Sequence, residues 1–158
     1  MSVRGEEVPD DWAERWKRFH VPLLLELEER GSLADLGCGS GVLAIAAAKL
    51  GFAPVIALDA DRAAVAAAER NARDNAVRLA RVERFDLRAQ APPAADVLVA
   101  NLMRPLLLRV AQLIEERPRV LILSGLLDEE ADEVAAAFAP LRERRRLSMR
   151  GWTALLLG

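Results

Sequence analysis

Leu33-Ala34-Asp35-Leu36-Gly37-Cys38-Gly39-Ser40-Gly41 decides the reading of this chain. Leu33 to Leu36 is a brief apolar strand, and Ser40 to Leu50 is an Ala-rich helix closed by Gly51. Glycines between them let the backbone turn sharply and let a ligand lie against bare main chain. A dinucleotide fingerprint spaces its glycines G-x-G-x-x-G and seats a pyrophosphate on the helix end. Here the third glycine comes one residue early, and Asp35 stands just before the turn, where it would repel a pyrophosphate. A carboxylate there suits a ligand bearing an ammonium group. S-adenosylmethionine bears both an ammonium and a sulfonium, so Asp35, Gly37, Cys38 and Gly39 are expected to bind it. The plainer alternative is a strand–helix turn with no ligand.

Working outward, strands and helices alternate. Val55–Leu58 reads as a second buried strand. Asp61 can cap a helix that runs to about Asn75. Arg81–Phe85 is a third strand, and Gln90–Ala95 is a Pro/Ala loop too short for a helix. Val97–Ala100 is a wholly apolar fourth strand; Pro105 suits the start of a helix over Leu106–Glu115. Val120–Leu123 is a fifth strand ending at Ser124-Gly125, and Asp128 can cap a helix reaching Phe138. Arg142–Met149 and Trp152–Leu157, separated by Gly151, read as a terminal hairpin. Upstream, Asp10–His20 is an amphipathic helix candidate with Trp12, Trp16 and Phe19 on one face. Pro22 is expected to break it, and Leu23–Arg30 forms a second helical piece ended by Gly31. The strands lack polar alternation, as doubly buried parallel strands do. The expected fold is therefore α/β and Rossmann-like: a mostly parallel seven-stranded sheet, helices on both faces, and a C-terminal antiparallel hairpin. Residues 1–31 read as N-terminal connector helices and 32–158 as the ligand-binding domain.

Polar residues at strand ends are the next candidates. Asp59 ends the second strand, where an acid in this fold accepts both ribose hydroxyls. A helix cap is the competing account, but Asp61 is the better cap. Asp86 follows the third strand, where adenine should rest and could offer its exocyclic amine; a solvated loop acid is the alternative. Asn101 follows Val97-Leu98-Val99-Ala100, an expensive place for an idle amide. Its side-chain oxygen could accept from a substrate amine and aim the nitrogen lone pair along the sulfur–methyl axis. Asn101 is thus the expected catalytic residue and a cofactor neighbour; the alternative is a cap of the helix near Arg104. His20 is read as a surface or packing residue of the connector. Cys38 is read as a small loop residue rather than a nucleophile, because no basic partner is placed by sequence. Arg142, Arg144, Arg145 and Arg146 are read as charge blunting an edge strand rather than as an RNA contact.

Bulk properties restrict the field. The 158 residues suit one domain, and 53% hydrophobic with 29% charged suits a globular protein. A net charge of −2 gives no strong nucleic-acid signal. The single cysteine forms no internal disulfide, no apolar run is long enough to span a bilayer, and the polar start has no signal-peptide core. A cytoplasmic location is expected, with no membrane partner and no metal.

At this point the residues resemble a known family. Asp35-Leu-Gly-Cys-Gly-Ser-Gly-Val-Leu-Ala-Ile-Ala-Ala-Ala-Lys-Leu-Gly51, Leu58-Asp-Ala-Asp61, Val99-Ala-Asn-Leu102 and Leu123-Ser-Gly-Leu126 are similar to segments of the bacterial ribosomal protein L-eleven methyltransferases. The mitochondrial lysine methyltransferases of electron-transfer flavoprotein are similar too. The resemblance runs from about Asp10 onward and implies S-adenosylmethionine as cofactor, set against Gly37, Asp59 and Asn101. It implies methylation of protein amines, on lysine or an N-terminus, with a ribosomal protein as partner. Members also carry a recognition domain before the connector, for which these residues have no counterpart. They carry a Gly-Thr-Gly-x-His-x-Thr-Thr segment that closes over the cofactor; here Val21-Pro22 runs straight into Leu23. Two other readings stay open: a methyltransferase of RNA or a small molecule, and a non-catalytic remnant that keeps the fold. Asn101-Leu102-Met103-Arg104 lacks the Asn-Pro-Pro-aromatic pattern that would favour a base amine.

Overall fold

Buried strands need apolar side chains on both faces, and this chain supplies them. Leu33, Val55, Ala57, Val97, Val99, Val120 and Ile122 enter one apolar cluster. Their neighbours Ala34, Leu36, Leu58, Leu98, Ala100, Leu121 and Leu123 enter a second cluster on the opposite face. The structure, a computed structural model, describes residues 20–158. The proposed helix face of Trp12, Trp16 and Phe19 therefore lies outside the described residues.

Seven strands form one sheet: β1 (Leu33–Leu36), β2 (Val55–Asp59), β3 (Arg81–Arg84), β4 (Val97–Asn101), β5 (Val120–Leu127), β6 (Glu143–Met149) and β7 (Trp152–Leu157). Their order is β3-β2-β1-β4-β5-β7-β6. The first five pair in parallel, and β7 pairs antiparallel with both β5 and β6. This is the expected sheet, with β7 as its single antiparallel strand. The chain order reverses between β1 and β4, and an open α/β sheet binds ligands at the carboxyl ends of strands beside such a reversal.

The helices are α1 (residues 20–25), α2 (Val42–Lys49), α3 (Arg62–Asp74), α4 (Arg104–Leu113) and α5 (Ala131–Ala137). Leu23 and Leu24 of α1, Leu43, Ala44 and Ala47 of α2, and Ala68 of α3 cover the first face. Leu107 and Val110 of α4 and Ala131 and Val134 of α5 cover the second, with Phe138 beside them. Asp61 caps α3 as expected, its Oδ1 accepting from Ala63 N at 2.9 Å. No helix, by contrast, fills the β3–β4 crossover, as the Pro/Ala composition of Gln90–Ala95 foretold.

The helix that Pro22 was expected to end lies, but for His20, outside the described residues; Pro22 itself is helical, within α1, and its carbonyl, which proline retains, accepts from Glu26 N at 3.3 Å. Two expectations are corrected. The second helical piece does not run from Leu23 to Arg30. Helix α1 stops at residue 25, and the Arg30 guanidinium reaches back to the Leu24 carbonyl (3.3 Å), supplying one C-terminal oxygen with a donor. Asp128 does not cap the helix to Phe138. A 3-10 turn over Asp128–Glu130 comes first, and Asp128 Oδ1 instead accepts the Thr153 hydroxyl of β7 at 2.5 Å.

At the sheet's edge, β6 exposes Glu143, Arg144, Arg145 and Arg146. Arg145 pairs with Glu26, and Arg146 pairs with Asp132 at 2.6 Å and Glu143 at 2.7 Å. Paired charge along an outer strand discourages further strand addition, in line with the edge reading of the arginine cluster.

Candidate functional site

The carboxyl ends of β1, β2 and β4 gather most of the residues singled out from sequence. After Leu36 the chain turns through Gly37 (φ 73°) and Gly39 (φ 53°), conformations that favour glycine. Gly37 N and Cys38 N both donate to the Leu58 carbonyl at 2.8 Å, which ties the loop to β2. A side chain at Gly37 would meet Leu102 within 2.5 Å. At Gly39, by contrast, a Cβ would meet nothing within 4 Å. One glycine of the loop is thus sealed by packing, while the other presents bare backbone to open space.

Asp59, the last residue of β2, braces that backbone. Its Oδ2 accepts from Gly39 N at 2.9 Å and its Oδ1 from Asp61 N at 2.9 Å. A carboxylate has about four lone-pair positions, so one on each oxygen remains for a pair of vicinal hydroxyls. The residues fit an adenosyl ligand on these two counts: an open glycine cradle and an acid beside it with acceptor capacity to spare. Asp86 is exposed and follows β3; its Oδ1 accepts from Arg88 N at 2.9 Å, which shapes the turn. Together with Ala60, Arg84, Phe85 and Arg88 it lines a cavity of about 230 Å³.

Asp35 sits differently. It is 1% exposed, and its Oδ2 accepts from Ala44 N of α2 at 3.2 Å. The carboxyl lies under the loop, on the face covered by α2, because strand alternation sends Leu33 and Asp35 the same way. Burial is the largest influence on its acidity, and the nearby Asp59 charge adds to it; against the opposing Ala44 hydrogen bond they push the pKa up to about 7. The same burial, with Asp35 and Asp59 close by, pushes the Cys38 thiol up to about 12. A thiol that holds its proton is no nucleophile, which agrees with the small-loop-residue reading.

Asn101 ends β4, half-buried, and lines a second cavity of about 550 Å³ with Leu102, Met103, Pro105, Arg88 and Arg109. The capping alternative falls away: the N-cap of α4 is Met103, with no side-chain cap bond. The Asn101 Oδ1 accepts instead from the Ser124 hydroxyl at 3.0 Å, and Ser124 Oγ lies 2.7 Å from His20 Nε2. Sequence reasoning missed both partners. Ser124 had the same signal as Asn101, a polar residue directly after an apolar run, here Val120–Leu123. His20 had none, since its contact spans 104 positions. Among the described residues no group of three or more His, Cys, Asp or Glu could hold a metal, and no helix is long and apolar enough to cross a membrane.

Sheet order, glycine loop and strand-end acid together define a class I methyltransferase fold. Residues 23–157 match the sequence model of the ribosomal protein L11 methyltransferase family. The chain belongs to that family. It is 37% identical over 132 residues to the ribosomal protein L11 methyltransferase of Thermotoga petrophila, covering 82% of this chain and 46% of that protein. It is 44% identical over 119 residues to that of Pectobacterium atrosepticum, covering 73% and 40%. The chain thus spans less than half the length of these curated relatives. The solved ribosomal protein L11 methylase of Lactobacillus delbrueckii subsp. bulgaricus superposes with a TM-score of 0.81 at 27% identity, covering 91% of this chain and 78% of that one. In fold alone, the chain also resembles magnesium protoporphyrin IX methyltransferase from Synechocystis, with a TM-score of 0.71 at 17% identity, covering 99% and 88%.

Proposed function

We propose that this chain is the S-adenosylmethionine-binding, catalytic part of a cytoplasmic methyltransferase that N-methylates protein amines, with a ribosomal protein as substrate. The single observation that carries the reading is the open Gly39 backbone braced by Asp59. Family membership, by relatives named for ribosomal protein L11 methylation, supports the substrate class.

The residues divide the work. Gly39 offers main chain to the ligand, Gly37 and Cys38 hold the loop against β2 beside it, and Asp59 takes the two ribose hydroxyls. Asp86 accepts from the adenine amine at the 230 Å³ cavity. Asp35 supplies negative charge from beneath the loop toward a cationic ligand. A positive charge nearby favours the ionised carboxyl, so ligand affinity rises as pH climbs through about 7. When bound, S-adenosylmethionine supplies a methyl group made electrophilic by the adjacent sulfonium. The Asn101 Oδ1 accepts from the acceptor amine and sets the direction of its lone pair, an orientation effect. The amine enters neutral, since a protonated amine has no lone pair. Cys38 keeps its proton and takes no part.

Calorimetry of the chain with S-adenosylmethionine, wild type against Asp59→Ala, tests the reading. Saturable heat from the wild type and at least a tenfold weaker Asp59→Ala are expected, since a hydrogen bond to a charged group contributes about 1.5–3 kcal/mol. Absence of wild-type heat would favour a non-catalytic remnant. A labelled-methyl assay on ribosomal proteins against ribosomal RNA then tests the substrate; label confined to RNA overturns the protein assignment.

A further inference from the structure

Asn101, Ser124 and His20 make a hydrogen-bonded chain that crosses from β4 through β5 to α1. Strand alternation puts Val97, Val99 and Asn101 on the same face as Val120 and Ile122, the face that α1 covers. Ser124 and His20 are both buried, 3% and 1% exposed. The direction of the chain follows from donor counting. An amide oxygen only accepts, so the Ser124 hydroxyl hydrogen points to Asn101 Oδ1. A serine hydroxyl has one hydrogen, which is then spent, so Ser124 Oγ must accept from His20 Nε2–H across the 2.7 Å contact.

In this arrangement the Asn101 amide faces β5 with its carbonyl oxygen. With Oδ1 held toward β5, one of its lone pairs is engaged and the other remains. The sense of the amide decides the chemistry proposed for Asn101. A carbonyl oxygen accepts an N–H from an amine and leaves the nitrogen lone pair exposed. A flipped amide would present Nδ2–H donors, which bind that lone pair and remove the nucleophile. Gly125 keeps space for the arrangement: a Cβ there would lie 2.7 Å from the Leu102 carbonyl oxygen and 3.0 Å from Asn101 Oδ1.

We propose that His20, acting through Ser124, is a positioning residue for methyl transfer: it locks the Asn101 amide so that its oxygen, not its nitrogen, serves the acceptor amine. The proposal rests on the methyltransferase reading for its catalytic meaning, while the locked amide itself is open to direct measurement. In the ¹⁵N-labelled full chain, the Asn101 side-chain NH₂ signals are identified by their loss in Asn101→Ala. His20→Phe and Ser124→Ala are expected to shift those signals and speed their exchange with water. His20→Gln, which keeps a donor near the same place, is expected to restore most of the wild-type pattern. In turnover, His20→Phe and Ser124→Ala lower kcat by of order 10- to 100-fold, the scale of a misplaced reacting group, with cofactor affinity within twofold of wild type. In an Asn101→Ala background His20→Phe costs nothing further in kcat. Asn101 signals unmoved by His20→Phe overturn the proposal, as do kcat losses that simply add in the Asn101→Ala background. Loss of cofactor binding by the wild type defeats the methyltransferase reading alone, because the NMR measurement still decides whether His20 locks the amide.

Discussion

The Gly39–Asp59 bond joins residues 20 positions apart, whereas the Ser124–His20 bond joins residues 104 apart. Both lie at the same edge of the same sheet. The β1–β2 side is built from one βαβ unit: a strand, a glycine turn, a helix, and the acid at the tip of the next strand. Its geometry follows from local chain chemistry. The β4–β5 side is built by assembly. It needs two strands in register, Asn101 against Ser124, and a helix from before the sheet laid across them. Hydrogen bonds on the first side brace backbone; those on the second orient a side chain. A binding cradle can therefore be written locally, while the aim of a reacting group depends on the completed fold.

Breaking each side should have different consequences. The largest effect is expected at Asp35, beneath the glycine loop. Its folded-state pKa is raised from 3.8 to about 7, so the folded chain keeps a proton that the unfolded chain has released. The stability from this group is therefore greatest below about pH 4 and falls as pH rises to 7. At about 1.4 kcal/mol for each pH unit the loss amounts to roughly 4 kcal/mol. Asn is a neutral isostere, so Asp35→Asn should gain on the parent by about that amount between pH 4 and 7 in urea titrations. A constant difference across that range would show that Asp35 is not a buried, protonated acid.

On the β4–β5 side, Gly125→Ala combines φ 83° with a Cβ 2.7 Å from a backbone oxygen. Strain of that kind costs about 1–3 kcal/mol, and thermal unfolding should register it along with disturbed Asn101 side-chain signals. A variant of parental stability would mean that the β4–β5 edge has slack. On the β1–β2 side, Gly39→Ala meets no neighbour and has only the left-handed backbone to oppose it. We expect about 1 kcal/mol of destabilisation, yet a tenfold or larger loss of S-adenosylhomocysteine affinity by calorimetry. Undiminished affinity would remove Gly39 from the cradle. The smallest effect belongs to the outer edge. Arg146→Ala removes exposed pairs with Asp132 and Glu143 and should cost under about 1 kcal/mol. A larger loss would give the edge charges a structural weight that the comparison denies them.

The same contrast explains what could be read from the chain alone. The strands, their parallel pairing and the glycine loop follow from apolar runs and punctuation, and the β3–β4 loop from its prolines. Asp61 as a cap follows from its place before a helix. Asp35 was legible as an acid before the turn but not as a buried one, although alternation from Leu33 already turns it toward α2. Asp128 looked like a cap because nothing local announces Thr153, 25 positions away. His20 is the clearest case: a lone histidine gains its meaning only when α1 docks over Ser124.

The last strand in chain order, β7, is not at the border of the sheet but wedged between β5 and β6. A growing polypeptide must therefore leave the ladder open until Trp152–Leu157 is available to insert. Until then β5, with its buried Leu121 to Leu123, offers an unzipped flank on which another nascent copy can pair. Closing the ladder between β5 and β6 therefore waits on Trp152–Leu157.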